Sequence, residues 1–198
     1  MSEKPYYQEQ EFQTAQETRR ERRRSSKKGG GVIEFLVILL ISFALVFGFV
    51  RPFVVEAFYI PSESMIPTLR VGDRVLVNKF IYRFTEPERG DIVVFESVEG
   101  DSQDLIKRVV AVPGDTIAVR RGKVVLNGER QREPYVNNRY PDRSFSPPTT
   151  VPKGHVFVMG DNRANSRDSR FFGPVPKKKI EGEAFLRFWP PDRIGGLL

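Results

Sequence analysis

Apolar residues run almost continuously from Val32 to Val50, 19 positions whose only charge is Glu34. As an α-helix rising about 1.5 Å per residue this segment is roughly 28 Å long, close to the hydrocarbon thickness of a bilayer. It predicts a single N-terminal transmembrane helix over 32–50 with Glu34 at the interface. Val55-Glu56-Ala57 places a small residue at the end of a cleavage-like motif, so a cleaved signal peptide is the competing reading. The apolar run exceeds the usual core of such a peptide, about 7 to 15 residues, and a retained anchor is expected.

After Arg51 the period changes. Val54–Ile60, Arg74–Lys79, Asp91–Phe95, Leu105–Val112, Thr116–Val119, Lys123–Leu126, Val156–Met159 and Ala184–Phe188 are short runs rich in Val, Ile and Phe, and they predict strands. Gly-Asp recurs between them at 72–73, 90–91, 114–115 and 160–161. Gly tolerates positive φ and Asp bonds local backbone, so each pair predicts a strand-joining turn. The expected fold is mainly β: one transmembrane helix followed by an all-β domain over 51–198, built as packed antiparallel sheets or a partly open barrel.

Three stretches escape this pattern. Residues 127–153 hold Arg, Asn, Asp and prolines with few apolar positions, and predict a polar surface excursion. Residues 174–182 are Pro-rich and basic through Lys177, Lys178 and Lys179, a solvated loop or a contact to lipid headgroups. The ending from Trp189-Pro190-Pro191 to Gly195-Gly196 predicts a loose tail that cannot continue a strand.

Charge adds orientation. The net charge is +7, but residues 19 to 28 alone hold seven Lys or Arg against one Glu. Residues 1–31 have almost nothing to bury, so a disordered basic tail is expected there. A basic cluster before an apolar span keeps that end cytoplasmic, which puts everything after Arg51 on the other side. The cluster has no interleaved aromatics and lies beside the anchor, which argues against nucleic acid as a partner.

The chemistry is narrowed by what the chain lacks. It has no Cys and one His, which excludes thiol chemistry and a histidine-rich metal site, and no cofactor is expected. Pro61-Ser62-Glu63-Ser64-Met65-Ile66-Pro67-Thr68-Leu69 sets two serines in a loop restricted at both ends by proline. A polar turn is one reading and a serine nucleophile the other. A serine needs a base. His155, at a strand entrance, is the weaker candidate. Lys107 is the stronger: strand alternation puts it on one face with Leu105, Val109 and Ala111, and if that face is internal, burial lowers its pKa. Arg108, on the opposite face, then needs a partner or water. The stretch 160–170, Gly-Asp-Asn-Arg-Ala-Asn-Ser-Arg-Asp-Ser-Arg, follows a strand and is dense in hydrogen-bonding groups. Asp168 with Arg170 and Ser166 can orient a base there, although a polar turn has the same composition.

Taken in order, Pro61–Leu69, then Gly90-Asp91-Ile92-Val93-Val94-Phe95, Lys107-Arg108-Val109-Val110, Pro113-Gly114-Asp115 and the 160–170 stretch resemble type I signal peptidase over about residues 56 to 188. The single anchor is similar to the short bacterial forms. The resemblance implies a membrane-anchored serine endopeptidase that removes signal peptides from exported preproteins through a Ser-Lys dyad and an ester acyl-enzyme. It implies Ser64 as nucleophile and Lys107 as general base. Ser62 matches the serine that joins the Ser64 amide in the oxyanion hole. Ser166 matches the serine that orients the lysine amine, and Asp168 with Arg170 the supporting pair. Phe58, Ile60, Leu105 and Ile106 match positions lining shallow pockets for small side chains. Ala164 stands where many members carry Asp. The implied partners are preprotein signal peptides, the lipid bilayer and, as a candidate, the secretion machinery, and the implied location is the plasma membrane or an internal bacterial membrane. A self-cleaving repressor and a noncatalytic anchored β module are the rival readings; the first would carry a DNA-binding helix-turn-helix where the apolar run lies.

Overall fold

The computed structural model describes residues 31–50, 54–136 and 142–197. Of the tail expected over 1–31, residues 1–30 lie outside them, as does the middle of the polar excursion, 137–141, while Gly31 already belongs to the helix. The chain divides into two compact units, Met1–Arg51 and Pro52–Leu198.

In the first unit, helix α1 covers 31–45 and runs on as a π-helical turn, Val46–Val50. The segment Gly31–Gly48 is long and apolar enough to cross a membrane, and its side chains from Val32 to Phe47 are exposed. Phe43 and Phe47, one turn apart, stack with ring centroids 4.2 Å from each other.

The second unit is built from antiparallel strands. Every strand anticipated from the apolar pattern is present, with ends shifted by a few residues at most. They are β1 (Val55–Tyr59), β2 (Arg74–Asn78), β3 (Ile92–Glu96), β4 (Asp104–Ala111), β5 (Thr116–Arg120), β6 (Lys123–Leu126), β9 (His155–Met159) and β11 (Ile180–Trp189); the short strands β7 (Glu129–Arg130), β8 (Ser146–Thr150), β10 (Val175–Pro176) and β12 (Gly195–Gly196) complete the set. The larger sheet has the order β1-β2-β11-β3-β4-β9-β10 with β12 beside β11, and the smaller one the order β7-β6-β5-β8.

Strand alternation divides the core. Ile92, Val94 and Ile106 pack with Ile60, Met65, Leu69, Val75 and Val77 on one side of the large sheet. Val93, Phe95 and Val109 pack with Val156, Val158 and Val175 on the other. A third cluster joins the ends of β4 and β9 to the small sheet through Val110, Ala111, Ile117, Val119, Val124, Phe157 and Met159. The turns at Asp73, Asp91 and Asp115 share one construction. Each aspartate accepts the amide three positions back, Arg70 N at 2.8 Å, Glu88 N at 2.8 Å and Val112 N at 2.9 Å. The preceding glycines all have positive φ, which a side chain would disfavour.

The chain beyond Trp189 is not a loose tail. After a short turn at Pro191–Arg193, Gly195 and Gly196 pair back onto Arg187 and Leu186, and Leu197 is buried in the core beside Ile60. Arg193 reaches Asp73 at 2.6 Å. The prolines end β11 but do not prevent a new strand after the turn. The polar excursion also contributes a strand. In β8, Pro147 and Pro148 sit where the register with β5 shifts between Ile117 and Val119. This is an edge strand with a bulge, where missing N–H donors are tolerated. The basic 174–182 stretch pairs with β9 through Val175 and Pro176, then turns at Lys177–Lys179 into β11.

Candidate active site

The loop after β1 is fastened at many points. Ile60 exchanges backbone hydrogen bonds with the β2 turn, donating to Asp73 O and accepting from Gly72 N. Met65 and Leu69 are fully buried and act as apolar anchors for an otherwise polar segment. Ile66 N donates to Glu63 O and Leu69 N to Met65 O, so the loop is also closed on itself. From the far side, Asn162 donates its backbone N–H to Ser64 O at 3.0 Å and its side-chain amide to Glu63 O at 3.1 Å. Ser64 is thereby held with its hydroxyl 3.3 Å from that of Ser62.

Lys107 meets it from β4. Its Nζ donates to Ser64 Oγ and to Ile106 O, each at 2.9 Å. The residue is 3% exposed. Burial is the main cause that pulls the amine down to a pKa of about 8, opposed by the negative charges of Asp168 and Asp161. About a tenth of the lysine is then neutral at pH 7, against well under a thousandth for an ordinary one. A neutral amine with a lone pair beside a serine hydroxyl can take its proton.

The loop after β9 supplies the surroundings. An added Cβ at Gly160 would collide with Ser166 Oγ and with Ser64 O. Only glycine lets the end of β9 pass between those two serines. Gly160 therefore differs from the other Gly-Asp pairs: its positive-φ freedom is not used, and close approach is the reason for it. Ser166 Oγ donates to Asp168 Oδ2 at 2.8 Å, which leaves its lone pairs free to accept. Asp168 also accepts Gly160 N at 3.0 Å and the Arg170 guanidinium at 2.8 Å and 2.9 Å. Arg108 finds the partner it needs in Asp161, with two hydrogen bonds of 3.0 Å and 2.8 Å, both side chains buried. Asp161 in turn accepts the Thr68 hydroxyl, tying the pair to the serine loop.

Most of the residues singled out in the sequence thus converge. Ser64 meets both Ser62 and Lys107 directly, and Ser166, Asp168 and Arg170 adjoin them through Gly160. Among the described residues Lys107 makes no hydrogen bond to Ser166. Phe58, Ile60 and Ile106 belong to one core cluster, whereas Leu105 packs with the cluster on the opposite face, as its alternation with Ile106 requires. His155 opens β9 while Gly160 follows its end, about 16 Å away for a five-residue strand. Its Nδ1 lies 3.0 Å from Lys153 O, so it takes no part here. Val55-Glu56-Ala57 lies within β1, paired with Asn78, Val77 and Leu76. Among the described residues no three His, Cys, Asp or Glu side chains are placed to hold a metal.

Other residues of the site were not singled out. Gly160 and Asp161 appeared only as a Gly-Asp turn and within a polar stretch, Asn162 only within that stretch, and Glu133 and Asp142 only within the excursion. One signal was available: Arg108 on a buried strand together with Arg163 and Arg170 in the loop after β9 makes three cations, more than Asp161 and Asp168 can pair.

A family model described as signal peptidase, peptidase S26, matches residues 32–189. The chain is similar to the signal peptidase I of Leptolyngbya laminosa, 47% identical over 155 residues, which cover 75% of each chain. It is also similar to a probable signal peptidase I-2 of Synechocystis, 44% identical over 74% of this chain and 68% of the relative. To signal peptidase IB of Staphylococcus aureus it is 36% identical, over 80% of this chain and 90% of the relative.

Proposed function

Because the chain belongs to the signal peptidase family, peptidase S26, and is a signal-peptide-cleaving serine peptidase, we propose that Ser64 is its nucleophile and Lys107 its general base. The observation that carries this assignment is the 2.9 Å contact between Ser64 Oγ and a buried amine whose pKa is lowered to about 8. Neutral Lys107 takes the hydroxyl proton as Ser64 Oγ attacks the scissile carbonyl. The tetrahedral intermediate collapses as the ammonium returns that proton to the leaving amine. Lys107, neutral again, activates water to hydrolyse the ester.

Ser62 supports the developing oxyanion with its hydroxyl, together with the Ser64 amide. Ser166, Asp168 and Arg170 orient and support the lysine. The far edge of β1 carries no partner strand among the described residues, so an extended substrate segment can add to it by main-chain hydrogen bonds. Phe58, Ile60 and Ile106 border the pockets for small side chains, whereas Leu105 lies on the other face of β4 and does not join them.

The substrates are preproteins carrying signal peptides. Residues 32–50 anchor the enzyme in the membrane with the 1–31 tail in the cytoplasm and the 51–198 domain on the opposite side, in the plasma membrane or an internal bacterial membrane. The lipid bilayer is a partner, and the secretion machinery is a candidate to deliver the substrate. The test uses the full chain in detergent with a preprotein, and maps the cut by mass spectrometry. Ser64→Ala and Lys107→Ala each abolish cleavage with circular dichroism unchanged; cleavage that survives Lys107→Ala sinks the dyad.

A further inference from the structure

The polar excursion between β7 and β8 grips the scaffold of the site. Its residues meet three buried arginines. Arg170 Nη1 donates to Asp142 Oδ2 at 2.7 Å and to Ser144 Oγ at 2.9 Å. Asp142 is itself fixed, accepting Ser144 N and Ser144 Oγ at 2.8 Å each. Arg163 is held by both carboxylate oxygens of Glu133 and donates its Nε to Gly160 O at 3.0 Å. The Arg108 guanidinium stacks 4.2 Å from the centre of the Tyr135 ring, and the Tyr135 hydroxyl donates to Glu133 at 3.3 Å. Each arginine therefore has one side on the excursion and the other on Gly160, Asp161 or Asp168.

Arg170 matters most for the chemistry. Its side chain is 3% exposed, and that of Asp168 is fully buried. Its other donors go to Asp168, to Arg163 O at 2.8 Å and to Ser166 O at 3.3 Å. It thus crosses the whole 163–168 turn that carries Ser166 up against Gly160 and Ser64. Without Asp142 the guanidinium loses its one carboxylate outside that turn among the described residues, and with it one of the ties, alongside Arg163–Glu133 and Arg167–Glu99, that fix the turn to the rest of the domain.

We infer that Asp142 is a positioning residue for the Lys107 base, acting through Arg170 to hold the Ser166–Asp168 turn against the serine loop. This rests on the Ser64–Lys107 assignment above. The charged groups around the amine are Asp161 and Asp168 from the loop after β9, the first paired with Arg108 of β4 and the second with Arg170. Beyond them, Asp142 is the anion on the far side of Arg170, as Glu133 is the anion on Arg163. Removing its charge leaves the amine in a more positive field and favours its neutral form.

The experiment measures preprotein cleavage by the full chain in detergent against pH. Asp142→Asn is expected to lower kcat by about 10- to 100-fold with little change in KM, and to move the acid limb of kcat/KM to lower pH. Asp142→Glu, which keeps the charge, returns the limb towards the wild-type position. Ser144→Ala lowers kcat by a smaller factor and leaves the limb in place, and it serves as the second variant should Asp142→Asn fail to fold. A folded Asp142→Asn with wild-type kcat and limb overturns the proposal. So does a loss of rate that only tracks a loss of folded protein with the limb unmoved, or a Ser144→Ala enzyme with wild-type kcat. The wild-type enzyme separates this from the dyad: if it shows no acid limb attributable to Lys107, the dyad has failed, whereas a normal wild-type limb unmoved in Asp142→Asn removes only the role of Asp142.

Discussion

Ser64 and Lys107, 43 positions apart in the chain, share a hydrogen bond of 2.9 Å in the interior of the domain. The buried amine bonds Ser64 and the Ile106 carbonyl, and neither of the carboxylates that attract it is among its hydrogen-bond partners. It is close enough to negative charge to be tolerated and too dry to stay an ordinary ammonium.

The pH dependence follows from that balance. With the Lys107 pKa lowered to about 8, the active, neutral form increases as pH rises through 8. The rate of preprotein cleavage, measured as kcat/KM from pH 6 to 10, is expected to rise with an acid limb near pH 8 and then level off. A limb at the histidine range near 6.5, or a flat profile, speaks against lysine as the base.

The same burial has a cost for the fold. Lys107 has a lower pKa folded than unfolded, so between about 8 and 10.5 the unfolded chain binds more protons and folding stability rises with pH. Below pH 8 the full penalty is present. Lys107→Met keeps the shape without the charge, and we expect a Tm at pH 7 at least as high as wild type with cleavage abolished. The gap in Tm narrows as pH rises from 8 to 10.5. A large fall in Tm at pH 7 contradicts this account.

The Ser62 hydroxyl lies 3.3 Å from that of Ser64, within reach of the oxygen of a carbonyl that Ser64 attacks. Ser62→Ala is expected to lower kcat by about 10² to 10³ with KM nearly unchanged, the usual consequence of losing one oxyanion donor. A rate within a factor of about 3 of wild type leaves that role to other groups.

The C-terminal segment is expected to matter for stability more than for chemistry. Ending the chain after Pro190 removes Leu197 from the core beside Ile60 and Met65, and takes Arg193 from the buried Asp73. The loss amounts to about 3 kcal/mol from the buried side chain and its cavity alone. Denaturant unfolding of the full chain in detergent against the chain ended after Pro190 measures it; equal midpoints indicate that the C-terminal segment contributes nothing.

Local pattern made much of this protein legible before its fold was known. Strands declared themselves because a side-chain period of two and β-branched residues are properties of a few neighbours, and the N-terminal apolar helix because length and apolarity are too. The lone histidine directed attention to Lys107, and the resemblance divided Ser62 from Ser64. Other features depended on partners far along the chain. Pro147 and Pro148 hid β8 because a bulge on an edge strand is visible only against β5, and Gly195-Gly196 carried no strand signal of its own until β11 received it.

The excursion shows the division most clearly. By composition, Glu133, Asp142 and the arginines of 163–170 are solvated surface, since charges are rarely buried unless paired. Their pairing spans 28 and 30 positions, beyond any local window. The sequence by itself determined the long apolar N-terminal helix, the β elements and a short list of reactive side chains. The tertiary structure alone decided that Lys107 is dry, that it reaches Ser64, and that three arginines are buried against carboxylates, because desolvation and charge pairing are set by which distant segments pack together.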